Sequence, residues 1–157
     1  AHALYENGAP MEEVAQWVLD NRLKSHAWFT VGDLVYLRRG GRISPTSAIV
    51  GTMLDIKPIL TLTKAGKLEA HSKVQGRKKA MKALAEKVAD FIENPQDQTV
   101  IVFHGDSHDE AEILKTQIKN RVPDIKEIKL QMIGPVIGAH AGPGTLAVCF
   151  MGRERPM

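Results

Sequence analysis

TVIVFHGDSHDEAEILKTQIKNRVPDIKEIKLQM, Thr99 to Met132, is the stretch on which the fold turns. Thr99 to His104 is nearly all apolar, the pattern of a strand buried on both faces. Ser107 and Glu110 stand at capping-box spacing and open a helix that buries Ala111, Leu114 and Ile118. Ile128, Leu130 and Met132 then alternate with polar residues as a half-exposed strand. Strand, helix and strand at this spacing make a βαβ unit, so the sheet is at least partly parallel, with a right-handed crossover. The expected fold class is α/β, a mixed sheet flanked by helices.

Upstream, a long helix from Gly76 to Ile92 places Met81, Leu84, Val88 and Phe91 on one face, and Asn94-Pro95 ends it. Ile56 to Leu62 and Lys67 to Val74 read as a hairpin about Ala65-Gly66. Pro58 lacks a ladder donor and pushes its strand towards an edge or a bulge. Ser44 as N-cap and Pro45 at the first helical position start a short apolar helix through Met53. Asp33 caps a brief helix carrying Leu34, Tyr36 and Leu37, which halts at Gly40-Gly41. Ala27 to Val31 is a strand, and Ala1 to Glu6 and Pro10 to Asn21 are helices, with Pro10 at the first helical position of the second. Downstream, a loop of small residues from Gly138 to Gly144 leads into a last strand, Thr145 to Met151.

The 157 residues amount to one ordinary domain, or one domain and a piece of another. Apolar content of 43% with 25% charged residues is that of a globular protein, and no apolar run reaches the roughly 18 residues of a membrane span. Stable membrane insertion is therefore not expected. A net charge of +3 invites a nucleic-acid reading, but aromatics make up only 5% and are scattered, so no stacking platform exists for single strands. The single Cys149 forms no internal disulfide, which suits the reducing cytoplasm. Ala1 opens on what reads as a helix already under way, so a segment upstream is expected.

His140 is the titratable residue of most interest, because glycines around it let backbone approach a ligand and an imidazole donor there can grip a carboxylate. The alternative is a tight turn in which His140 bonds a neighbouring carbonyl. Arg42, inside GGRIS, is either a ligand or lobe contact or a surface arginine paired with Asp33 or Asp55. Ser44 has no base beside it and reads as a cap, not a nucleophile. Arg77, Lys78, Lys79 and Lys82 crowd a helix start, which suits an acidic partner or a phosphate as well as it suits plain solvation. His104, Asp106 and His108 straddle a strand end without the spacing of a metal site, and no G-x-G-x-x-G joins a strand to a helix. Neither metal nor cofactor is expected. Ile43, Ile49, Val50, Met53, Leu54, Ile56 and Ile59 could line an apolar tunnel or simply form core.

GGRISPTSAIVGTMLDIKPILTL (Gly40 to Leu62), VQGRKKAMKAL (Val74 to Leu84) and IGPVIGAHAGPG (Ile133 to Gly144), in that order, resemble the second half of the DegV family over about Ala1 to Gly152. The resemblance implies a fatty-acid carrier of two α/β lobes, with residues 1–25 as trailing helices and hinge of a first lobe and 26–157 as the C-terminal lobe. It implies that His140, and with it Arg42, meets the long-chain fatty acid's head group, and that the aliphatic set lines its acyl tunnel. Ala141 stands where the family's HTGPG motif has threonine, which removes one hydroxyl. The family's other hydroxyl ligands belong to the N-terminal lobe, missing here. The resemblance further implies a carrier, not an enzyme, which presents its acid to a separate fatty acid kinase through a surface about Arg77, for acyl phosphate formation and phospholipid synthesis. The rivals are a phosphotransferase-related enzyme, for which no P-loop or magnesium carboxylate cluster is present, and a protein-interaction module without lipid binding.

Overall fold

The computed structural model describes residues 1–43 and 55–156. Helices α1 (His2–Glu6) and α2 (Met11–Asn21) lead through a 3-10 turn (Arg22–Lys24) into β1 (Ser25–Thr30). Pro10 takes the N-cap position of α2, one residue earlier than expected, and Glu12 and Glu13 follow in the first turn, where carboxylates favour the helix dipole. The short α3 (Leu34–Arg39) is capped as predicted: the Asp33 carboxylate accepts from the Val35 N–H at 2.8 Å. The hairpin β2 (Ile56–Leu62) and β3 (Leu68–Gln75) precedes the long α4 (Arg77–Phe91). Then come β4 (Thr99–His104), α5 (His108–Arg121), β5 (Glu127–Met132), α6 (Pro135–Ala141) and β6 (Leu146–Met151).

The six strands form one sheet in the order β3-β2-β1-β6-β4-β5. The β4 and β5 strands pair in parallel, as a βαβ unit requires, and the other pairings are antiparallel. Pro58 does not sit on an edge strand, because β3 lies outside β2. Its missing donor is tolerated because β1 pairs with β2 only at Thr61 and Leu60, beyond the proline. The bulge does fall beside it: between Ile59 and Leu60 the partner register skips from Ser72 to Ala70, which leaves His71 extra in β3.

Helices α4 and α5 cover one face of the sheet. Ala80, Met81, Leu84, Ala85 and Val88 of α4 and Ala111, Leu114 and Ile118 of α5 pack on Trp28, Ile59, Val100, Val102, Leu146 and Val148. The opposite face carries a smaller cluster of Val31, Leu37, Leu60 and Ala141, with Phe29, Leu34, Ile43 and Leu68 against it. The predicted burial of Thr99 to His104 on both faces is therefore corrected. Val100, Val102 and His104 are buried while Ile101 and Phe103 are only half so, because the helices lie on one side.

The capping box is also corrected. Ser107 stands at the N-cap of α5 without a side-chain cap bond, and its hydroxyl donates to the Gly105 carbonyl instead. Glu110 is turned towards Arg77, which grips it through Nε at 2.9 Å and Nη2 at 2.7 Å. A two-pronged, charge-assisted contact outweighs a single neutral cap bond. Among the described residues no helix is long and apolar enough to cross a membrane.

Candidate functional site

Two rows of side chains cross the less covered face of the sheet. Phe29, Ala147 and Phe103 are register partners across β1, β6 and β4, and so are Ala27, Cys149 and Ile101. All six are half-buried, whereas the alternating rows on the helix-covered face are buried. Side chains two residues apart along a strand share a face, so these rows form one apolar carpet. Burial raises the Cys149 thiol to about 11, which keeps it a neutral, inert part of that carpet.

Helix α6 stands at the border of the carpet, because Ala141 packs in the small cluster with Phe29 at its edge. His140 is thus in the last turn of a helix, not in a loop as the small residues suggested. Gly134 and Pro135 start that helix, with proline near its first position, and Gly142 at φ +78° ends it. The His140 ring lies against Gly40, the residue that ends α3, and its Nδ1 is buried without a hydrogen-bond partner among the described residues. In return the Tyr36 ring of α3 lies against Gly142.

Arg42 is exposed, and its Nη1 donates to the Gly40 carbonyl at 3.4 Å. That contact ties it to the same α3 terminus as His140. Ile43 joins the small cluster. Ile56 and Ile59 do not act together: odd and even positions of β2 face opposite ways, and Ile59 is buried beneath the long helices. Ile59 is core. Ile56 instead lines a cavity of about 330 Å³ with Asp33, Arg38, Asp55 and Lys57, where Lys57 Nζ donates to the Gly32 carbonyl at 3.0 Å. Ser44, Ile49, Val50, Met53 and Leu54 lie outside the described residues.

The basic run divides. Arg77 is four-fifths buried in its ion pair with Glu110 and is not a free surface cation. Lys78, Lys79 and Lys82 are exposed, and Lys82 lies 3.7 Å from Glu86. His104 and His108 meet edge to face at 5.4 Å, and His104 Nδ1 accepts from the Ser107 N–H at 3.4 Å. Sequence reasoning missed Phe29, Ile101, Phe103, Ala147 and Cys149 as a surface, and it missed the contact of Gly40 with His140. The alternation of β1 and β6 about a one-sided helix layer was the available signal for the first.

The chain is thus an α/β lobe with one sheet face under helices, a half-buried apolar carpet on the other and an imidazole on the helix at its border. Residues 1–153 match the DegV family, described as an uncharacterised protein family, and the chain belongs to it. It is 42% identical over 152 residues to a DegV domain-containing protein of Clostridium perfringens, covering 97% of this chain and 52% of that protein. The chain thus spans about half the length of the curated relatives it matches. Among solved structures, the fatty-acid-binding DegV family protein of Streptococcus agalactiae is similar at TM-score 0.80 and 28% identity, over 97% of this chain and 53% of that one. A DegV family protein of Ruminococcus gnavus with vaccenic acid is similar at TM-score 0.84 and 26% identity, over 94% and 52%. The fatty acid kinase B3 protein of Streptococcus pneumoniae, loaded with linoleic acid, shares the fold at TM-score 0.80 and 20% identity, over 95% and 52%.

Proposed function

We propose that the chain is the C-terminal lobe, residues 26–157 after two trailing helices, of a carrier that holds a long-chain fatty acid and performs no chemistry on it. The observation that carries this reading is that Ala141, the neighbour of His140 in α6, belongs to the small cluster against which Phe29 of the half-buried carpet packs. A similar DegV family protein with vaccenic acid and another described as fatty-acid-binding support it. The acyl chain supplies most of the affinity: at about 0.8 kcal/mol per methylene, a dozen buried methylenes amount to roughly 10 kcal/mol before the costs of association. His140 then needs only to orient the carboxylate, with Arg42 beside it. A first lobe closes over the carpet and over Tyr5, Met11, Val18 and Leu19 of the leading helices, which are exposed here.

In the same proposal, the loaded carrier presents its head group to a separate fatty acid kinase. Lys78, Lys79 and Lys82 form the partner surface, with Arg77 held back as its structural support. The test is fatty-acid affinity in a protein of the relatives' full length. His140→Ala weakens binding about 10-fold, the equivalent of one hydrogen bond to a charged group. Lys79→Glu leaves that affinity unchanged and weakens kinase binding. Unaltered affinity in His140→Ala would remove the histidine from the site.

A further inference from the structure

The contact between Gly40 and His140 assigns a role to the glycine. Gly40 has φ −76°, a backbone conformation open to any residue, so its lack of a side chain is not needed for the turn. It is needed for space. A Cβ at position 40 would collide with His140 Nδ1 and stand 3.1 Å from Cγ and 3.2 Å from Cε1 of the ring. The reverse contact repeats the arrangement, since a Cβ at Gly142 would stand 2.5 Å from the Tyr36 Cγ and 2.9 Å from Cε2. Each helix therefore ends in a glycine that receives a ring from the other.

We propose that Gly40 is a positioning residue that sets both the orientation and the tautomer of His140. Packed on Gly40, Nδ1 is buried and has no hydrogen-bond partner among the described residues. A proton there would be a stranded donor, so the neutral ring carries its proton on Nε2 and offers that corner to a ligand. This inference rests on the head-group reading of His140 and adds to it which nitrogen does the binding and what holds it.

The test uses a protein of the relatives' full length, oleate as probe, and long-range proton–nitrogen NMR of the imidazole. In the parent, the His140 signals are those of the Nε2–H tautomer. Gly40→Ala shifts them towards a mixture and lowers oleate affinity about as far as His140→Ala does, about 10-fold. In the His140→Ala background, Gly40→Ala has no further effect. Gly66→Ala, at φ +76° in the β2–β3 turn with nothing within 4 Å, strains the backbone elsewhere and leaves oleate affinity and tautomer alone. An unchanged tautomer and affinity in folded Gly40→Ala overturns the proposal, as does a loss that multiplies with that of His140→Ala. If His140→Ala itself leaves affinity intact, the head-group reading fails, while the tautomer in Gly40→Ala still decides the positioning claim. If Gly40→Ala alone does not fold, the pair with His140→Ala restores folding, and failure of the pair to fold contradicts the collision.

Discussion

At the scale of single residues, Arg77 shows how a surface-looking cation becomes structural. Its fork meets both oxygens of Glu110 across α4 and α5, a geometry that an ammonium cannot copy. Arg77→Lys should therefore lower stability by about 1–2 kcal/mol in urea denaturation, whereas Lys78→Ala should stay within about 0.5 kcal/mol. Asp33→Ala should lose about 1 kcal/mol with the cap of α3. The pairing of Arg77 was not legible in the sequence, because its partner lies 33 positions away and Glu110 had an adequate local reading as a capping residue. Asp33 was legible because its bond closes within two residues. The same division separates His140 from Gly40: a chemically capable histidine can be picked out by type, but the glycine across from it only by folding.

At the scale of elements, local period and long-range coverage parted company. The helical spacing of α4 and α5 named their buried faces correctly, since the 3.6-residue repeat is written in the chain itself. Whether a strand is covered on one face or two depends on where other elements settle, so β4 was misjudged. The deepest junction joins β1 to the C-terminal tail. Trp28 Nε1–H donates to His26 Nδ1 at 3.1 Å, so Nε2 bears the ring proton and donates to the Arg153 carbonyl at 2.7 Å. Around it the Gly152 and Arg155 N–H groups bond the carbonyls of Lys24 and Leu23. Burial lowers the His26 pKa, the bond to Arg153 opposes this, and the charge of Arg155 adds to the lowering. Unfolding frees the ring to its ordinary value near 6.5, so below that pH the unfolded chain binds more protons than the native one. Stability contributed by neutral His26 is thus full above the unfolded value and is lost as pH falls beneath it. His71, lowered by burial and by Lys87, acts in the same direction. The urea midpoint should fall between about pH 7.5 and 5.5, and His26→Phe, though weaker at the higher pH, should show a smaller change over the interval.

At the scale of the whole molecule, the proposed function sets stability and ligand binding on opposite faces of the sheet. The face beneath α4 and α5 holds the fully buried Trp28, Leu84, Leu114 and Ile118, and Leu84→Ala there should cost about 2–5 kcal/mol with no direct effect on a ligand. The other face keeps Phe29, Ile101 and Phe103 only half covered, and Val136 and Ile137 on α6 remain 73% and 59% exposed. In the proposed carrier this apolar surface is what the acyl chain and the first lobe cover. The most direct measurement is mass spectrometry of small molecules extracted under denaturing conditions from the protein at its relatives' full length, before and after incubation with oleate. Close to one fatty acid per protein, with much less retained by His140→Ala, is the result expected of the carrier. A protein that carries no lipid as purified and takes up no added oleate would contradict it.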